Sequence, residues 1–87
     1  DELAARLALG NIAYKGHDLQ TAQMHYAQAT ADHPDSADAW NNLAQVLYET
    51  HQWEAASQAI AQAVAIGGPR LERYKTTQRA ITQQREP

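Results

Sequence analysis

The chain alternates between helix-length stretches, with apolar positions three and four residues apart, and short breaks rich in Gly, Pro and His. Residues 2–15 place Leu3, Leu7, Leu9, Ile12 and Ala13 at mixed three- and four-residue spacing, and Gly16 follows. That spacing predicts an amphipathic helix ending at the glycine. Asp18 stands where it can cap a second helix, on which Leu19, Ala22, Tyr26 and Ala29 share a face. At His33-Pro34-Asp35-Ser36 the pattern stops. Pro34 disfavours helical geometry at His33, and Asp35 or Ser36 supplies a new N-cap. A third helix over about 37–50 carries Trp40, Leu43, Ala44 and Leu47, and a fourth over about 53–66 carries Ala56, Ile60, Ala63 and Val64. Gly67-Gly68-Pro69 ends it, since glycine accepts a left-handed cap and proline cannot continue a helix. A fifth helix over about 70–84 has Leu71, Tyr74 and Ile81 as its large apolar residues.

Composition sharpens this into an all-α expectation. Of 38 apolar residues in 87, 18 are alanine. Alanine has the best helix propensity and lets backbones approach closely, whereas a single globular core built from it would be thin. Runs of Val, Ile and Thr are missing, which argues against a sheet.

The order helix-turn-helix, break, helix-turn-helix, break, helix invites a search for an internal repeat. A shift of 34 residues brings Leu9 onto Leu43, Gly10 onto Ala44, His17 onto His51, Ala22 onto Ala56, Tyr26 onto Ile60 and Ala29 onto Ala63. Small positions fall on small and large on large. Trp40-x2-Leu43-Ala44, then Ala56-x3-Ile60-x2-Ala63, then Pro69, resembles the tetratricopeptide repeat. Residues 3–36 resemble it too, through Leu9-Gly10, Ala22-x3-Tyr26-x2-Ala29 and Pro34, with Arg6 in place of the tryptophan. The repeat's usual tyrosine is missing from both, replaced by Ala13 and Leu47.

The resemblance implies five helices stacked as antiparallel pairs in a short right-handed superhelix: repeats at 3–36 and 37–70, then a C-terminal capping helix and tail at 71–87. It also implies a protein- or peptide-binding module with a concave groove lined by the first helix of each pair. Its groove-facing positions are Ala4, Leu7, Asn11, Tyr14 and Lys15 in the first repeat and Asp38, Asn41, Gln45, Tyr48 and Glu49 in the second, with Asn42 beside them. On the capping helix they include Glu72, Lys75 and Arg79. Asn and Gln both donate and accept, which suits a peptide backbone, and the tyrosines offer flat apolar faces with a polar tip. One subclass of the family clamps a carboxylate with Lys and Asn. Asn11 and Asn42 match it, but Leu7, Glu72 and Thr76 stand where it has basic residues, so that ligand is not expected.

Charge and chemistry-bearing residues narrow the classes further. The net charge of −3 argues against nucleic acid. It is unevenly spread: residues 1–69 hold two basic and eight acidic groups, residues 70–87 five basic and two acidic. No apolar run is long enough to cross a membrane, and there is no cysteine. The four histidines have no metal-ligand spacing, so neither a metal nor a cofactor is expected. His25 with Asp18 or Asp32 could be assembled on paper as an acid–base pair, but the outside of a second helix does not exclude water. The expectation is no catalysis. The start at Asp1 without Met suggests a piece of a longer protein. A weaker resemblance, on the repeat positions and Gly67-Gly68-Pro69, is to the C-terminal part of bacterial C39-like peptidase proteins, and places any peptidase domain upstream. The first helix has no cap, so docking or self-association through Leu3 and Leu7 is the alternative role.

Overall fold

The computed structural model describes residues 1–85. They form five helices: α1 (Glu2–Lys15), α2 (Leu19–Asp32), α3 (Ala37–Glu49), α4 (Trp53–Ile66) and α5 (Leu71–Arg85). Each packs on the next, and α5 also reaches back to α3. The tail assigned with the capping helix, Glu86 and Pro87, lies outside the described residues.

Local chemistry sets the helix starts. The Asp1 carboxylate accepts from the Ala4 N–H at 2.7 Å, Asp18 from Thr21 at 3.2 Å, and Ser36, rather than Asp35, from Ala39 at 3.2 Å. Each satisfies an N–H that the first helical turn leaves without a partner. The ends of α1 and α3 share one geometry. The Asp18 N–H donates to the Ala13 carbonyl and the Gln52 N–H to the Leu47 carbonyl, both at 2.8 Å. His17 and His51 sit in the left-handed region, at φ 63° and 62°. These pairs are 34 residues apart, so the repeat is present in the backbone as well as in the side chains. Helix α1 ends at Gly16 as expected, with Gly16 at φ −79° and the left-handed residue one position on, at His17. At the end of α4 the left-handed residue is a glycine, Gly67, at φ 74°.

Alanine does for the interior what the sequence expects. Ala22, Ala44, Ala56 and Ala63 are fully buried and let the helices approach closely around Tyr26, Leu43, Leu47, Ile60 and Ile81. Ile60 and Ile81 are fully buried, each contributing about 1.5–3 kcal/mol by removal from water. Trp40 is half-buried, and its indole N–H donates to the Pro34 carbonyl at 2.8 Å, tying α3 to the break before it.

Helix α1 departs from the expected amphipathic pattern. Leu9 is 49% exposed and Ile12 69%. Their partners 34 residues on, Leu43 and Val46, are buried, because α3 lies between α2 and α4. Helix α1 packs chiefly on α2 alone, so its other side is uncovered. Leu3 and Leu7, expected to form that open edge, are half-buried, and Leu7 packs against the core.

Candidate functional site

Helices α1, α3 and α5 together line two hollows, one towards the start of α3 and one towards its end. The first encloses about 460 Å³. Leu7 and Asn11 form its α1 wall, Asp38, Asn41 and Asn42 its floor, and Arg70 and Arg73 its α5 side. The second encloses about 430 Å³, with Tyr14 on α1, Gln45, Tyr48 and Glu49 on α3, and Thr76, Thr77 and Ala80 on α5. Of the residues expected to face a groove, Leu7, Asn11, Tyr14, Asn41, Asn42, Gln45 and Tyr48 are brought together here. Lys15, Lys75 and Arg79 line neither hollow. Lys75 lies 3.9 Å from Glu72 on its own helix, and Arg79 donates to Thr76 at 3.3 Å.

In the first hollow, Asn41 is only 3% exposed, and its Oδ1 has no hydrogen-bond partner. A buried amide oxygen without a donor costs on the order of 1–3 kcal/mol. Its neighbour Asn11 is held from behind: the Tyr26 hydroxyl donates to Asn11 Oδ1 at 2.6 Å. That bond engages the amide oxygen and leaves its NH2 as the donor group at the first hollow. Burial raises the Tyr26 phenol above its ordinary value, so it stays a donor.

Asp38, Arg70 and Tyr74 form a cluster that sequence spacing did not reveal. Arg70 grips the Asp38 carboxylate with Nε, at 3.0 Å, and Nη2. The Tyr74 hydroxyl donates to Asp38 Oδ1 at 2.6 Å. The Arg70 guanidinium holds the Asp38 carboxyl below the usual carboxylate range, against the opposing effect of burial, and Tyr74 adds to the lowering. Asp38, expected to face a ligand, is thus engaged in fastening α5 to α3. The signal available in the sequence was the basic start of the last helix opposite an acidic residue in the first turn of the third.

In the second hollow the Tyr14 hydroxyl donates to Glu49. This bond, with burial and the nearby negative charge, pushes the Tyr14 phenol up to about 12. The Tyr48 ring rests edge-on against Trp53, centroids 5.6 Å apart, and Trp53 stacks on His51 at 5.0 Å.

Other expected chemistry is placed elsewhere. His25 accepts from Arg6 at 3.2 Å. Asp18 serves as a cap, and Asp32 accepts from Gln28 at 3.0 Å. Among the described residues no group of three His or acidic residues could hold a metal, and no helix is long and apolar enough to cross a membrane.

Comparison with known proteins agrees with this architecture. The chain is 32% identical over 82 residues to Stress-induced-phosphoprotein 1 of Caenorhabditis elegans. The match covers 94% of this chain and spans about a quarter (26%) of that relative's length. Neither this match nor the family match involves a peptidase. The tetratricopeptide repeat profile matches residues 13–81, most of the described helices. With five helices stacked in this order, the chain belongs to the tetratricopeptide repeat family, whose arrays serve as protein–protein interaction modules.

Proposed function

We propose that the chain binds a peptide or protein segment along the groove of α1, α3 and α5. The supporting observation is Asn41. Its side chain lines the first hollow, and its amide oxygen is buried there without a partner, a cost to folding of the kind that sites kept for binding carry. Asn11, Asn42 and Arg73 supply further donors around it, and Leu7 gives an apolar wall. A peptide backbone offers N–H and C=O groups at the spacing such amides can meet. Tetratricopeptide repeats are typically non-catalytic, and the chain is read here as a binding element and not an enzyme.

The test is capture from a lysate of the source. The 87-residue chain and its Asn11→Ala/Asn42→Ala/Arg73→Ala variant are immobilised in parallel, and retained proteins are identified by mass spectrometry. A protein held by the parent and lost by the variant supports groove binding. Equal recovery from both, or none from either, removes it.

A second reading is structural: docking of the open side of α1 onto an upstream domain or another copy. It is favoured by Ile12, which stands open where its repeat counterpart Val46 is sealed. Leu9 extends the same edge. Light scattering over a range of concentrations tests self-association, with Ile12→Glu as the control. A mass that stays monomeric throughout removes that form of the reading.

A further inference from the structure

We propose that the hollow around Tyr14, Tyr48 and Glu49 receives a basic side chain, lysine or arginine, of the segment bound in the groove. This rests on the groove reading and names one residue class of the partner.

The charge is the first argument. Glu49 takes a hydrogen bond from Tyr14 but forms no ion pair with any basic side chain among the described residues. The acidic groups Asp38 and Glu72 each have a cation beside them. Glu49 is therefore a negative charge lining a hollow with no counterion of its own. Lys15 and Arg79 are exposed and outside the lining, Arg79 bonding to Thr76 and not to Glu49, and Lys75 lies beside Glu72.

The aromatic groups are the second. A cation gains electrostatic attraction from the face of a tyrosine ring. Two such rings line this hollow, and both are held before any ligand arrives: Tyr14 through its hydroxyl to Glu49, Tyr48 through its packing on Trp53. Rings already in place lose little freedom on binding. The remaining polar lining suits an ammonium or guanidinium. Gln45 carries an amide oxygen. The Thr77 hydroxyl donates back to the Arg73 carbonyl, which leaves its oxygen as an acceptor, whereas the Thr76 oxygen already accepts from Arg79. The hollow, at about 430 Å³, has room for a four-carbon stem.

The experiment is a solution NMR titration of the isotope-labelled 87-residue chain with three capped amino acids, each N-acetylated and N-methylamidated. They are lysine, norleucine (the same stem without the charge) and glutamate, at equal ionic strength. The expected result is shifts centred on Tyr14, Gln45, Tyr48 and Glu49. The lysine compound should bind about fivefold to tenfold more tightly than norleucine. Glu49→Gln keeps an acceptor for Tyr14 and should remove about fivefold of that preference, with the circular dichroism of the fold unchanged. Norleucine binding as well as lysine, glutamate binding better, or no localised shift with any compound overturns the proposal. None of these outcomes touches the capture assay, which reads the Asn11 and Asn42 end of the groove. The subsite and the groove can therefore fail separately.

Discussion

The ring of Tyr26 occupies the space that a side chain on Gly10 would need. A methyl group there would lie 2.4 Å from Tyr26 Cε1 and 2.7 Å from Cδ1. Both residues are buried where α1 crosses α2, so neither can move aside into solvent. The second repeat solves the same crossing with Ala44 and Ile60: one side is larger, the other smaller. Gly10→Ala should lower stability by about 1–3 kcal/mol, even though alanine is the better helix former. In a Tyr26→Ile background the same change should cost much less. Urea unfolding of the four proteins in that cycle checks it. Equal costs in both backgrounds would show that the ring is not what excludes the methyl.

The two left-handed histidines differ in what they give back. A non-glycine residue in this region carries a strain of about 1–2 kcal/mol. His17→Gly should therefore stabilise by about 0.5–1 kcal/mol, after the added freedom of the unfolded chain is subtracted. His51 also stacks on Trp53, an interaction worth about 0.5–1 kcal/mol. His51→Gly should leave stability nearly unchanged. Urea midpoints of the two variants, compared with the parent, measure the difference. Equal gains would mean the stack contributes nothing.

Acid should loosen α5 through Asp38. Its carboxyl is lowered in the folded chain, chiefly by Arg70. The stabilisation from this group is thus complete above the ordinary carboxylate value near 4 and is lost as pH falls through the lower, folded value. Asp38→Asn should be less stable than the parent at neutral pH and should lose less on acidification. Tyr74→Phe, which removes one donor to the same carboxylate, should cost about 1 kcal/mol. Thermal melts at stepped pH follow both. An unchanged acid transition in Asp38→Asn would rule this carboxylate out as its source.

Stability and binding should separate at Asn41. Replacing the unpartnered amide by leucine, with the same heavy-atom count and branch point, should raise stability by about 1 kcal/mol and abolish capture of a groove partner. Chemical unfolding beside the capture assay reads both. A stabilised variant that still binds would assign Asn41 no part in recognition.

The fold was legible because its punctuation is local. Pro34, the pair Gly67-Gly68 and the alternation of alanine with large residues act within one or two turns, and the 34-residue echo repeats them. What the sequence could not show depends on neighbours. Leu9 matches Leu43 in kind but not in burial, since burial requires an element on the other side of α1. Asn41 and Asn42 look alike on paper, but one is sealed and the other half-exposed, a distinction made by the rotation of α3. Lys75 and Arg79 missed the hollows while Arg70 and Arg73 entered one, because the turn after Pro69 sets which side of α5 meets α3.

Helix α3 holds the acceptors of the side-chain ties that reach it from α1 and from the α5 end. Glu49 takes Tyr14 from α1, and Asp38 takes Arg70 from the turn before α5 and Tyr74 from α5 itself. Behind these ties the core mixes small alanines with Tyr26, Leu43, Leu47, Ile60 and Ile81. The array is therefore strung like a bow, with its cords on the inside and both knotted to one limb. Two carboxylates 11 positions apart on a single helix hold both cords, and neutralising both should loosen α1 and α5 against α3.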